Sequence, residues 1–433
     1  MKKALFFLRH YNDIDHITPV IVKWVESGNS CDIVLLKKTK LTDDFRIQFL
    51  NTLNGVRIAR LFEILPLHEF LRWQLQTILL NQRLRRSFFG TWMNALSSIY
   101  DINKRLRIWN TVSKRLLKRS FSDQTSGVIV FDWITRNSPI SLEWVETIAA
   151  MAHTKGLGAV SLPHGDSPHA SQLIRHGEWQ LAPDDMYCAG RIFDKLVVPN
   201  TLCATRFQPF MNETSLAILG SPRYCDEWLL RLKTIIPSSP LKDSDNRLKI
   251  VFFLRKNDFT IFWEEVGEVI HMIASFPGTE LIIKPHTRGG WRQSLTRDRS
   301  LLNHQNVHVA EDNTHSTHLM NWGDVMIDLA TSVVFEAVKA GKPVLAADYL
   351  HAGKSTIATY MPETELRCRD DVYNKIDTFL KKGCNSFYVE AHRQRFIKEI
   401  IDGPDTDTLS RYVALLEEVI AARSESRPRQ ENQ

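Results

Sequence analysis

Two stretches of this chain open in the same way. Phe6-Phe7-Leu8-Arg9 is followed by Asn12-Asp13, and Phe252-Phe253-Leu254-Arg255 is followed by Asn257-Asp258. Each is a short apolar run without alternation, the pattern of a strand buried on both faces, and each leads through a polar loop into an amphipathic helix. Between them lie Pro237-Ser-Ser-Pro240 and Lys242-Asp-Ser-Asp245, polar and rich in breakers, the best linker in the chain. A length of 433 residues accommodates two or three domains. The recurrence favours two α/β domains, one over 1–240 and one over 247–395, followed by helices at 396–423 and a polar, disordered tail at 424–433.

The first half reads as strand Ala4–Leu8, a helix capped by Thr18 with Pro19 at its first position, strand Asp32–Leu36, mostly helix over 41–119, strand Gly127–Phe131, helix Pro139–Lys155 and strand Gly158–Leu162. The second half reads as strands Lys249–Leu254, Glu280–Lys284, Val307–Ala310, Val325–Leu329 and Pro343–Ala347, with helices Phe259–Phe276 and Ser332–Ala340, then a last helix Thr408–Arg423. Strands separated by helices imply doubly wound parallel sheets, Rossmann-like in each half. Ligands of such sheets bind beyond the carboxyl ends of the strands, so two facing domains are expected to hold a substrate in the cleft between them.

Composition supports a globular enzyme: 24% of residues are charged and 43% hydrophobic. The six cysteines (31, 188, 203, 225, 368, 384) are scattered without a C-x-x-C pair, which points to a reduced, cytoplasmic protein rather than a disulfide or zinc framework. No apolar run has the length of a membrane span. Positive charge concentrates in 81–120, where ten Lys/Arg face a single acid, Asp101, and alternate with Phe88, Phe89, Trp92, Trp109 and several leucines. This basic helical insertion suits an anionic surface of the inner membrane, with the protein peripheral on it, or a polyanionic assembly partner. It equally suits a solvated helical face over a core. No nucleic-acid-binding motif accompanies it.

Four constellations carry candidate chemistry. Lys284-Pro285-His286-Thr287-Arg288 follows a strand directly, and such a density of donors suits a phosphate or pyrophosphate, with Gly289-Gly290 allowing close backbone approach. Thr331 and Ser332 stand where a helix begins, a natural anion site, and Glu336 lies one turn on, where a carboxylate accepts from ribose hydroxyls. Arg255 and Lys256 stand at the end of the second domain's first strand, where they complete an anionic pocket. In the first domain His164 and Asp166, within Pro163-His164-Gly165-Asp166-Ser167-Pro168-His169, present acid/base groups from a constrained loop, and Asp132 ends a strand. Arg9, His10 and Asp13 line the first loop. Asp13-Ile-Asp15 matches a D-x-D metal motif by chance, and no metal or other cofactor is expected. G-x-G-x-x-G, P-loop, G-x-S-x-G and H-E-x-x-H are absent, which argues against dehydrogenase, kinase, serine-hydrolase and zincin chemistry.

With Pro163-His164-Gly165, Lys284-Pro285-His286, the segment Asp328 to Pro343, and Gly220-Ser221-Pro222-Arg223 ahead of Trp228, the chain resembles the GT-B glycosyltransferases of bacterial surface-polysaccharide (capsule and O-antigen) assembly. Within that class it is similar to retaining β-Kdo transferases and, more distantly, to CDP-glycerol glycerophosphotransferases, whose Trp-His-Gly-Thr motif stands against Pro163-His164-Gly165-Asp166 here. The resemblance implies a metal-independent transferase that moves a sugar, Kdo from CMP-Kdo first, onto a lipopolysaccharide, capsule or glycolipid acceptor. It implies a donor nucleotide on Lys284, His286, Arg288, Thr331, Ser332, Glu336, Arg255 and Lys256. Asp166 is then the first choice of nucleophile and Asp132 the second, with His164 as acid/base and Arg9, His10 and Asp13 toward the acceptor. A CDP-polyol phosphotransferase, a UDP-sugar 2-epimerase and a non-catalytic GT-B scaffold remain alternatives.

Overall fold

The computed structural model describes residues 2–36, 41–80, 102–122, 125–134, 140–163, 165, 172–173, 192–255, 259–286, 295, 299–403 and 407–425. They form two compact units. The first falls within Met1–His164, Pro183–Ile236 and Asp402–Gln433, the second within Gly165–Ala182 and Pro237–Ile401. Of the four points at which the chain changes unit, one is Ile236/Pro237, where the breaker-rich stretch begins, and the last is Ile401/Asp402.

The first unit contains β1 (Lys3–Leu8), β2 (Ser30–Leu35), β3 (Val56–Arg60), β4 (Gly127–Asp132) and β5 (Gly158–Leu162). After β6 (Gln172–Leu173), which belongs to the second unit, the first sheet resumes with β7 (Lys195–Val198) and β8 (Leu216–Ile218). The sheet is parallel throughout, in the order β3-β2-β1-β4-β5-β7-β8. Period-two geometry divides β1 between two cores: Ala4, Phe6 and Leu8 pack on one face and Leu5 and Phe7 on the other. Burial on both faces is why the run shows no polar alternation.

Helices cover both faces. We label them α1 (Tyr11–Glu26), α2 (Leu67–Leu79), α3 (Ile102–Ser120), α4 (Leu142–Thr154), α5 (Trp263–Ser275), α6 (Ser316–Trp322), α7 (Phe335–Lys339) and α8 (Thr408–Glu425). On one face Ile14, Ile17, Ile21 and Trp24 of α1 meet Leu409, Tyr412, Leu416 and Val419 of α8. On the other, Trp73 of α2, Trp109 and Leu116 of α3 and Trp144 of α4 pack against Phe7 and Phe131.

Two expectations need correction. Helix α1 begins at Tyr11, not Pro19, because the Asp13 carboxylate accepts the backbone N–H of Arg9 (2.6 Å) and of His10 (3.0 Å) and so caps the helix earlier. Pro19 lies inside it. The stretch 41–119 also hides β3, an edge strand whose Val-Arg-Ile-Ala-Arg sequence is only partly buried and lacks an apolar run.

The second unit is a five-stranded parallel sheet, β11-β10-β9-β12-β13, from β9 (Leu248–Phe253), β10 (Thr279–Lys284), β11 (Val307–Val309), β12 (Val325–Asp328) and β13 (Val344–Ala346). Beside it, β6 pairs antiparallel with β14 (Gly353–Lys354). The helix expected over Ser332–Ala340 is a 3-10 turn, Ser332–Val334, followed by the short α7. Gly341 ends it in a left-handed conformation (φ 73°), with Lys342 N–H donating to Ala337 O at 3.0 Å.

The last helix is locked to the first unit by backbone contacts as well as by its apolar face. The Tyr412 hydroxyl donates to Gly220 O at 2.8 Å, and Arg411 Nη2 donates to Ile218 O at 2.9 Å. Gly220 has φ 86°, and a Cβ there would lie 2.2 Å from Asp402 O. Gly220→Ala therefore strains the backbone and forces the α8 connection away; we expect a loss of roughly 3 kcal/mol or more, measured as a fall in thermal midpoint. A loss below about 1 kcal/mol would mean that the close approach at Gly220 is not maintained.

Candidate functional site

In an open parallel sheet the crevice forms where the strand order reverses, because the connections on either side leave toward opposite faces. The reversal falls between β1 and β4 in the first unit and between β9 and β12 in the second. Charged residues are buried at both places.

In the first unit Arg9 follows β1 and Asp132 ends β4. Arg9 Nη2 donates to Asp132 Oδ2, and also to Trp133 O at 3.4 Å, while Arg9 Nε lies 3.6 Å from Asp13 Oδ2. Arg9 is 3% exposed and both carboxylates 0%. The two negative neighbours outweigh desolvation and hold the guanidinium pKa above its ordinary value. Three residues expected in two roles, Arg9 and Asp13 for an acceptor and Asp132 for catalysis, thus form one buried charged triad. His10 stands half-buried at its rim.

A second cluster adjoins α1. Arg46, at the start of the helix Phe45–Thr52, pairs with Asp15 and with Asp44 (2.7 Å), and Arg223 Nη1 lies 3.0 Å from the other Asp15 oxygen. Burial and the neighbouring Arg223 lower the Arg46 pKa to about 9, and burial raises Asp44 to about 6. Asp15 is thereby a structural bridge between two arginines. Local sequence did not single out Arg46, because its partners come from other elements.

In the second unit Arg255 lies just past β9, 7% exposed, with its guanidinium 4.5 Å from the centre of the Phe259 ring and Nη1 donating to Ala330 O at 3.0 Å. Ala330 holds a left-handed conformation (φ 56°), which costs a non-glycine residue about 1 kcal/mol or more. The turn is held from the other side by Asp328, whose carboxylate accepts from Thr331 N–H (2.9 and 3.1 Å) and Thr331 Oγ1 (2.9 Å). Burial raises the Asp328 pKa to about 7, against the pull of Thr331, Arg255 and His351.

Lys284, the last residue of β10, is 8% exposed and donates through Nζ to Glu311 O (2.8 Å) and Asp312 O (3.1 Å). Burial brings its pKa down to about 8. Glu336 accepts from Thr317 Oγ1 at 3.0 Å. Past β13, Asp348 Oδ1 and His351 Nε2 lie 3.2 Å apart, with His351 4% exposed and Asp348 Oδ2 accepting Ser355 N–H at 2.9 Å. The position of Asp348 and His351 just after a strand was the available signal for them.

The structure therefore gathers Arg255, Asp328 and Thr331 at one crevice of the second unit. Thr331 N–H and hydroxyl both point to Asp328, so the anion site expected of them at a helix start is committed within the turn. Ser332 and His286 are half-buried at the edges of their turns. His164, Asp166, Lys256 and Arg288 lie outside the described residues, as do the basic stretch 81–101 and the tail from 426 onward. Among the described residues no group of three or more His, Cys, Asp or Glu has a metal-binding arrangement.

The chain matches no protein-family description and no curated protein. It is similar to solved structures along nearly its whole length. UDP-GlcNAc 2-epimerase from Neisseria meningitidis bound to UDP-GlcNAc superposes with a TM-score of 0.57 at 11% identity, covering 98% of this chain and 100% of that one. The S. aureus MnaA–UDP co-structure gives 0.56 at 11% identity, with 97% of each chain covered. A glycosyltransferase from Rickettsia africae gives 0.54 at 10% identity, covering 98% and 99%. This likeness shows the fold: two parallel-sheet α/β units of the GT-B type.

Two variants test the buried charges. Arg9→Ala removes the guanidinium paired with two buried carboxylates, and we expect about 3–5 kcal/mol of lost stability in urea unfolding; a loss within about 0.5 kcal/mol would show that the triad is solvated. Folding raises the Asp328 pKa, so between about pH 4 and about pH 7 the native chain keeps a proton that the unfolded chain releases. The stability this group contributes is present at acid pH and is lost as pH rises through that window. Asp328→Asn has no such loss, so its thermal midpoint should gain on wild type between about pH 5 and about pH 8. A constant difference would mean that Asp328 titrates as an exposed carboxylate.

Proposed function

We propose that the chain is an enzyme acting on a nucleotide-activated sugar, with the nucleotide bound at the carboxyl ends of β9, β10 and β12, and that its substrate is a UDP-sugar epimerised at C2. The observation that carries this reading is the charged crevice at the strand reversal of the second unit, within a fold similar along its whole length to UDP-GlcNAc 2-epimerases. The buried residues have positioning roles in it. Arg255 and Asp328 hold the 328–331 turn and Lys284 holds the 311–312 turn, which leaves ligand contacts to His286, Ser332 and Glu336 at the edges and to Arg288. The positive charges of Lys284, Arg255 and Arg288 stabilise a nucleotide phosphate both bound and departing.

The second reading is transfer of the sugar to a glycan acceptor, with Kdo from CMP-Kdo as the donor that the sequence resemblance favours. The likeness to the Rickettsia africae glycosyltransferase supports it. Asp132, sealed by Arg9, is less suited than Asp166 to attack an anomeric carbon, and His164 keeps its proposed acid/base role beside Asp166. In this reading residues 1–240 form the acceptor domain and 247–395 the nucleotide-sugar donor domain.

Thermal stability in UDP, CDP and CMP tests the nucleotide. A ligand at about a hundredfold excess over its dissociation constant stabilises by about 2.7 kcal/mol, and the shift should be led by UDP and lost in Arg288→Ala. Incubation with UDP-GlcNAc in deuterated water tests the chemistry, because inverting C2 breaks and remakes its C–H bond and leaves deuterium there by NMR. A CMP-led shift without exchange would replace epimerisation by Kdo-type transfer, and a CDP-led one by polyol-phosphate transfer. No response to any nucleotide would remove the site and leave a non-catalytic scaffold.

A further inference from the structure

The pair α2 and α3 has an outer surface unlike that of an ordinary surface helix. Helix α2 buries Phe70, Trp73 and Leu79 in the core. Its opposite side, where polar residues normally stand, carries Leu67, Leu71, Leu75 and Ile78 at i, i+4, i+8 and i+11, exposed by 71%, 52%, 39% and 43%. The two helices pack together, and Arg115 joins Glu69 through two hydrogen bonds of 2.9 and 2.8 Å. The core-facing stripe of α3, Trp109, Val112 and Leu116, runs on toward its amino end into Leu106 and Ile102, which are 39% and 54% exposed. Rows of exposed apolar side chains of this kind on a globular fold mark a docking site.

The charges name the occupant. Helix α3 carries seven Lys/Arg and no Asp or Glu. Lys104, Arg107, Lys114 and Lys118 are exposed and have no ion-pair partner among the described residues. Protein interfaces are depleted in lysine, whereas helices lying on a bilayer combine an aliphatic row with Lys/Arg beside it. Among the described residues no helix is long and apolar enough to cross a membrane, and an exposed aliphatic row on α2 packed beside the cationic α3 suits a helix pair lying along a bilayer surface. We propose that α2 and α3 form a docking face for an anionic lipid bilayer, the Leu67–Ile78 row entering the acyl boundary and the α3 cations meeting the headgroups.

Co-sedimentation with vesicles of phosphatidylglycerol and phosphatidylcholine in equal parts, against phosphatidylcholine alone, tests this. The full chain should bind the anionic vesicles on the order of tenfold or more tightly, with binding weakened by added salt. Leu71→Glu/Leu75→Glu should abolish it, and Lys114→Glu/Lys118→Glu should weaken it on the order of tenfold or more. All four positions are exposed, so each variant should keep the wild-type thermal midpoint and nucleotide response, which separates this proposal from that of the nucleotide site. Equal binding to both vesicles, binding to neither, or undiminished binding by the leucine variant would overturn it. So would a concentration-dependent dimer, seen by light scattering and broken by the leucine variant, which would assign the face to a second copy of the chain.

Discussion

Both sheets depend on a guanidinium buried where their strand order reverses. A parallel sheet covered on both faces has no solvent along its strands, so polar groups collect at the strand ends. At the reversal two neighbouring strands end together, and their carbonyls and terminal carboxylate need donors. Arginine supplies five in a rigid fork. Arg9 spans the ends of β1 and β4 by bonding Asp132 and Trp133 O. Arg255 spans the ends of β9 and β12 by bonding Ala330 O beside Asp328. The two arginines are the last letters of the repeated Phe-Phe-Leu-Arg, so the repeat marks equivalent positions in the two sheets.

The equivalence is chemical only in part. In the first unit Arg9 is shared by two fully buried carboxylates, and the ion pairs keep the charges in place. In the second, the Asp328 carboxylate is turned toward Thr331, and the arginine instead holds a left-handed Ala330 and packs on Phe259. With weaker compensation for its burial, Asp328 is the carboxylate whose pKa rises to about 7. The first reversal is an ion-paired joint. The second is a turn with a left-handed Ala330 fixed by its supports, the kind of backbone that accumulates at functional sites.

That contrast bears on which residues are committed to the protein's own turns. Lys284, Arg255, Asp328 and Thr331 have the composition of an anion pocket, yet the described contacts of each include protein carbonyls, carboxylates or backbone donors. The positive charge of Lys284 and Arg255 still reaches the crevice, since buried charges are poorly screened. Under the proposed function, direct recognition falls to the more exposed groups on the turns they fix.

Much of this was legible along the chain. The unbroken apolar runs at 4–8 and 250–254 announced strands buried on both faces, and their spacing by helices announced parallel sheets. The strand-end residues Arg9, Asp132, Arg255 and Lys284 were legible as polar groups because each directly follows or ends such a run, whereas Asp328 reads as interior to a strand Val325–Leu329 and in fact ends it. Hydropathy is a local property, and it carries this information without knowledge of partners. Partners are not local. That Arg9 seals Asp132, that Arg46 and Arg223 share Asp15, and that α8 returns across Gly220 to the first unit all depend on residues far apart along the chain. That Thr331 turns to Asp328 rather than to a ligand depends on how the buried turn between them is packed. Sequence by itself determined the two α/β units and the places where charge gathers; only the tertiary structure decided which of those charges neutralise one another, because pairing is set by distance in space.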